Sequence, residues 1–166
     1  MMSGRAEAHQ LWTGLKAEHE RYTQAVAYIP TDQLRLQEDL RRYLCLRCAG
    51  FLEQVTFAVL DGYLEDKASD PVLHFARSHF RYAPNLRYGP FVTLIERFGE
   101  AYRERFEQFL AVERRVEALT DLLEVRNDIA HGKYFGGRKL DPARYMLLCE
   151  DTYDWLLDEF CRQDLS

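Results

Sequence analysis

Apolar positions recur at helical spacing along this chain. In residues 5 to about 28, RAEAHQLWTGLKAEHERYTQAVAY, the apolar residues Leu11, Leu15, Tyr22 and Val26, with Ile29 just beyond, fall on a charged background at intervals of three, four and seven. Pro30 stops this helix, and Thr31 or Asp32 offers a side-chain oxygen to cap the next. The second helix is predicted from about 32 to 67. Its middle, LCLRCAGFLEQVTFAVLDGYL, is apolar nearly all round, the mark of a helix buried on several sides. One stripe along it reads Leu46, Gly50, Glu53, Phe57, Leu60, Leu64. Glu53 occupies a place where an apolar residue is expected, and a carboxylate there needs a partner.

Ser69-Asp70-Pro71 reads as a helix start, with PVLHFARSHF as a short helix after it. RYAPNLRYGP is the least regular stretch. Short helices are predicted at FVTLIERFG and EAYRERFEQFLA, and a further one from about 112 to 131. GKYFGGRKLD then turns the chain with Gly132, Gly136 and Gly137. Asp141 caps the last helix, Pro142 opens it, and it runs to about 162. There is no repeat, low-complexity tract or linker. The expectation is a single all-α domain over residues 1–166, a bundle of two long core helices and shorter accessory helices.

Composition narrows the classes. At 166 residues with 47% hydrophobic and 30% charged, the chain can bury a core unaided and is not of disordered type. A net charge of −5 argues against a protein that coats nucleic acid, while leaving room for a local basic cleft. The basic residues are 18 Arg and 4 Lys, a bias that suits phosphate clamping and ion-pair networks alike. Cys45 and Cys48 form a CxxC inside a helical segment, with no second CxxC and no nearby histidine. With Cys149 and Cys161 they are expected as reduced thiols rather than a metal site. No signal peptide opens the chain and no apolar run approaches a membrane span, so a cytoplasmic protein without metal or cofactor is expected. His9 and His19, on the charged first helix, are expected at the surface.

The helix predicted to end near 131 closes on RNDIAHG. On a wheel of about 100° per residue, Val112, Val116, Leu119 and Leu123 share a face with Leu122 at its margin. Arg126 falls near the centre of that face, with Ala130 beside it and Asp128, expected to be solvated, opposite. Arg126 therefore lies where the core or a partner should be. His131 follows roughly 140° around and about 7.5 Å along, and Gly132 is a plausible residue beyond the cap. From these residues alone two accounts stand. One is a polar helix end whose histidine complements the dipole, with Arg126 in a structural ion pair to Glu53. The other is a small catalytic site.

Four segments in order, LRCAGFLEQV, SDPVLHFARSHF, NLRYGPFVTLIERFG and LTDLLEVRNDIAHG, resemble the RiboL-PSP-HEPN group of the HEPN superfamily over residues 35 to about 160. RNDIAHG resembles its Arg-x4-His motif. The resemblance implies an all-α, metal-independent endoribonuclease that forms homodimers, with two motifs meeting at a composite cleft. It implies work in phage defence, growth arrest or a toxin–antitoxin system. Carried over, Arg126 and His131 match the catalytic pair. Asn127 matches the polar residue after the arginine, and Glu53 matches an acidic residue on the earlier helix. Tyr134 stands near a tyrosine that some members carry. Lys133, Arg138 and Lys139 follow the motif and are expected to contact substrate phosphates. His74, Arg77, His79, Arg81 and Arg87 read equally as a basic rim or a solvated surface.

The residue types suit that chemistry. Attack of an RNA 2′-OH on the adjacent phosphate needs a base, an acid for the leaving 5′ oxygen, and positive charge on the phosphorane. Histidine titrates near neutrality and arginine keeps its charge and its fork of donors. Expected partners are RNA, a second copy, and an antitoxin such as a nucleotidyltransferase acting at Tyr134. The alternative is a non-catalytic HEPN-like interaction or nucleotide-binding module.

Overall fold

In the computed structural model, which describes residues 3–79, 86–133 and 140–161, the helices follow in order as α1 (Ser3–Tyr28), α2 (Leu34–Lys67), α3 (Asp70–His79), α4 (Tyr88–Glu96), α5 (Glu100–Ala111), α6 (Arg115–Ala130) and α7 (Pro142–Phe160). No strand occurs among the described residues, and the fold is all-α.

Most of the apolar middle of α2 between Leu44 and Leu60 is buried, and α1, α3, α6 and α7 all pack against this helix. By length and mean hydropathy α2 is apolar enough to cross a membrane, contrary to the expectation that no run approaches a span. In the fold, 61% of that apolar window is buried inside the bundle, and a core helix buried on several sides passes the same test.

Along α1, Ala8, Trp12 and Leu15 reach the core. The Trp12 ring lies 5.6 Å from Phe51 of α2 and 5.7 Å from Tyr153 of α7. Arg47 donates to both carboxylate oxygens of Glu18 at 2.7 and 3.1 Å. The two backbones approach closely at Gly4 and Gly62. A Cβ on Gly62 would lie 2.6 Å from the Gly4 Cα, and one on Gly4 would lie 2.5 Å from the Ala58 carbonyl oxygen. On the opposite side, an aromatic cluster joins α4 and α5 to α7, with Phe91 4.6 Å from Phe106 and Phe106 4.7 Å from Trp155. Cys45, Cys48 and Cys149 are buried, and the Cys149 thiol donates to the Cys48 carbonyl at 3.6 Å. Burial pushes the Cys45 thiol up to about 12, so it stays protonated and behaves as a small apolar side chain.

Three expected boundaries move. Gln33, not Thr31 or Asp32, is the N-cap of α2, and its side chain makes no capping bond. α4 begins at Tyr88, three residues before the predicted start, because Pro90 is tolerated in a first turn that needs no N–H. The helix expected from 112 opens only at Arg115. Glu113 and Arg114 have φ of 56° and 59°, a left-handed pair that breaks the chain between α5 and α6. Arg115 secures this turn, donating to the Phe109 carbonyl at 3.0 Å and pairing with Asp151 at 2.8 Å and Glu113 at 2.8 Å. Elsewhere the signals hold: the Asp141 carboxylate accepts from the Arg144 N–H at 3.2 Å, with Pro142 in the first turn of α7.

Gly62→Ala is expected to destabilise the protein by about 1–3 kcal/mol, the scale of core overpacking, since the new methyl meets backbone that cannot rotate away. Chemical denaturation measures it; an unchanged midpoint would show that α1 and α2 separate freely.

Candidate active site

The buried residues of α6 are Ala118, Leu119, Leu122, Leu123 and Val125. On a wheel of about 100° per residue, Arg126 falls within the arc they define, as the sequence predicts. Yet its side chain is 46% exposed. The azimuth is that of the core, but the neighbouring helices leave this end of α6 uncovered. Ala130, expected on the same face, is exposed too.

Glu53 of α2 faces Arg126. An Arg126 Nη lies 3.5 Å from a Glu53 carboxylate oxygen, and the Glu53 side chain is only 21% exposed. Burial pushes the Glu53 carboxyl above its ordinary range, and the Arg126 guanidinium pulls it back less. The pair is therefore a half-buried acid holding a half-exposed base, with guanidinium donors left over for a ligand. Along α2, Leu46 and Phe57 share the Glu53 stripe and are 36% and 38% exposed. Between them, a Cβ on Gly50 would meet nothing within 4 Å. The expected stripe is thus buried at Leu60 and exposed at Leu46 and Phe57, with Gly50 and Glu53 half-buried between them.

His131 closes α6. Its N–H donates to the Asn127 carbonyl at 3.1 Å. Gly132 follows with φ 65°. The Gly132 N–H donates to the Ile129 carbonyl at 3.0 Å and the Lys133 N–H to the Asp128 carbonyl at 2.9 Å. These two bonds are a Schellman motif, which needs a left-handed residue at Gly132. The histidine backbone is fixed while its side chain stays exposed.

Other expected residues divide. Asp128 is not free in solvent: its carboxylate pairs with the Lys133 Nζ at 3.0 Å. Lys133 remains exposed but is tied back to the helix. Arg77 is no open rim residue, since it clamps α3 to α2 through both Asp61 oxygens, at 2.7 and 2.8 Å, and through Glu65. His74 and His79 are exposed on α3. His9 is exposed with its Nδ1 3.3 Å from the Tyr153 hydroxyl, whereas His19 is half-buried against Tyr22. Tyr134, Arg138, Lys139 and Arg81 lie outside the described residues.

The sequence reading gives no role to Tyr88, Thr120 or Glu124. With Arg87, Gly89 and Leu123 they line a hollow of about 360 Å³ between the start of α4 and α6. Its signal in the sequence is the stripe Thr120, Glu124, Asn127, His131, which shares one side of the helix at intervals of three and four.

The raised Glu53 carboxyl has a thermodynamic consequence. The fold favours its neutral form, so that contribution is present at acid pH and is lost as pH rises through the folded value. Glu53→Gln, which stays neutral, is expected to match wild type in melting temperature near pH 4 and to equal or exceed it at pH 8. A variant less stable than wild type at pH 8 would show that the Arg126 pair is a net stabiliser instead.

The RiboL-PSP-HEPN family model matches residues 20–151, a span that contains Glu53 and the whole of α6 through Gly132. No curated protein and no solved structure matches the chain. HEPN families often include ribonucleases, which supports an RNA-related role of nuclease type. The chain, all-α and matched over most of its length, belongs to the RiboL-PSP-HEPN family and carries a HEPN-type domain.

Proposed function

We propose that this protein is an endoribonuclease whose active form is a two-fold dimer, with Arg126 and His131 of each copy lining one shared cleft. One observation carries the reading: Arg126 lies on the core azimuth of α6, paired to a half-buried Glu53 and open to solvent, with exposed His131 at the same helix end. A bundle that needed only stability has no need of a carboxylate at this place in the α2 stripe, where an apolar side chain serves as well as a half-buried ion pair.

The mechanism assigns each group a task. The neutral imidazole of one His131 takes the proton from a ribose 2′-OH. The freed oxygen attacks the adjacent phosphorus, and the bond from phosphorus to the 5′ oxygen breaks. The protonated His131 of the second copy gives its proton to that leaving oxygen. Arg126 holds the phosphorane charge with its fork of donors, and Glu53 keeps the guanidinium in place. Asn127 is a positioning residue. The products end in a 2′,3′-cyclic phosphate and a 5′-OH. One chain supplies a single histidine at this motif, so the two transfers call for two copies. The reading places the protein in defence or growth arrest in the cytoplasm, where an antitoxin that modifies Tyr134 would keep it silent.

Purified protein incubated with cellular RNA is expected to release 2′,3′-cyclic phosphate ends. His131→Ala should lower the rate by about 100-fold or more, and Arg126→Ala by about 100- to 1,000-fold. RNA left intact by the wild type, together with equal growth of hosts expressing wild type and His131→Ala, would favour the rival reading. That rival is a non-catalytic interaction module, to which the net charge of −5 lends some weight.

The uncovered strip Leu46–Gly50–Phe57 supports the dimer reading. Gly50→Arg has open space around it in one chain, so it is expected to fold normally yet sediment as a monomer and lose cleavage. Wild-type protein that is itself monomeric at micromolar concentration in analytical ultracentrifugation would remove the shared cleft.

A further inference from the structure

The hollow between α4 and α6 lies on the same side of α6 as the histidine. Glu124, on its wall, precedes His131 by seven residues, two turns and about 10.5 Å along the axis. Thr120 lines it one turn further back, Leu123 lines it next to Glu124, and Asn127 stands between Glu124 and His131 on the same stripe. We propose that this hollow is a nucleobase subsite with a preference for guanine, which holds a nucleotide beside the bond that is cut. The proposal rests on the ribonuclease reading for its place in the reaction, and on the hollow itself for the base.

Size and lining chemistry both favour one base. The hollow, at about 360 Å³, falls at the small end of the roughly 300–1,000 Å³ typical of ligand sites, room for a nucleoside rather than a strand. Tyr88 is 39% exposed at its edge, an aromatic ring on which a base can stack. Leu123 supplies an apolar floor, 7% exposed.

The polar groups form a pattern of acceptors beside a cation. The Glu124 carboxylate has about four acceptor sites, enough for a base in addition to its contacts within the protein. The Thr120 hydroxyl donates to the Val116 carbonyl at 2.8 Å, which leaves its oxygen as an acceptor. Arg87 offers guanidinium donors. Guanine alone among the four RNA bases places two adjacent N–H donors, N1–H and the 2-amino group, next to a carbonyl oxygen. A carboxylate takes such a donor pair in the paired geometry it uses with arginine, and a guanidinium suits the 6-oxygen. Adenine and cytosine lack the ring N–H, and uracil lacks the amino group.

The test uses His131→Ala protein and labelled uridine hexamers that carry one guanosine, inosine or adenosine, read by fluorescence polarisation. Guanosine is expected to bind tightest, with inosine, which lacks the 2-amino group, several-fold weaker. Glu124→Gln should abolish the difference between guanosine and inosine while leaving all-uridine RNA unchanged. Tyr88→Ala should weaken the guanosine hexamer about tenfold, the scale of one stacked base. Equal binding of guanosine and adenosine, or a Glu124→Gln variant that still discriminates, would overturn the subsite. Mapping of cut sites with otherwise wild-type protein separates the two readings. RNA cut at positions that Glu124→Gln does not shift removes the subsite and leaves the nuclease. Guanosine bound selectively by a protein that never cuts removes the nuclease and leaves the subsite.

Discussion

Between Leu44 and Leu60, α2 has apolar side chains on almost every side, so it has to be wrapped. Four helices do this. α1 approaches to backbone contact because Gly4 and Gly62 carry no side chains. α7 covers Cys48 with Met146 and Cys149, the Cys48 thiol lying 3.7 Å from the Met146 sulfur. α6 brings Leu119, Leu122 and Val125 inward. The free energy that holds these contacts is removal of apolar surface from water, and it is greatest where the wrapping is complete.

The wrapping stops short along one strip, and the candidate site lies there. Leu46, Gly50 and Phe57 remain open on α2 beside Glu53, and Arg126 extends from α6 at the same level of the bundle. Moving Glu53 to full solvent would relieve its burial; moving it to the core would leave it unpaired. Its half-buried position holds the guanidinium by electrostatics rather than by packing. Two other half-buried carboxylates are held more closely: Arg77 meets Asp61 at 2.7 Å and Arg105 meets Glu159 at 2.7 Å, against 3.5 Å for Arg126 and Glu53, and those two pairs tie helices together.

Much of this was legible in the chain. Asp141-Pro142 announced α7, and Ser69-Asp70-Pro71 announced α3, because caps and first-turn prolines act locally. Gly132 marked its Schellman end for the same reason. The azimuth of Arg126 followed from the helical period. Its exposure did not, since a wheel gives direction and says nothing of where neighbouring helices end. The turn at 112–114 was hidden because Val112 continues the apolar period and no glycine marks the left-handed pair. Contacts from Arg115 to Phe109 and Asp151 hold that turn, and these exist only after folding. Arg77 looked like a free basic residue because its two carboxylates lie on another helix. Of the Glu124 hollow only the α6 stripe was legible, as half of the lining comes from the start of α4.

The Schellman end of α6 separates two kinds of change. Its bonds run from Gly132 and Lys133 back to Ile129 and Asp128, so the frame around His131 is complete before residue 134. Whatever follows can be lengthened, shortened or recoded, within the limits of reaching α7, without moving the histidine backbone. The end of α6 thus keeps the histidine in place independently of the segment that follows it.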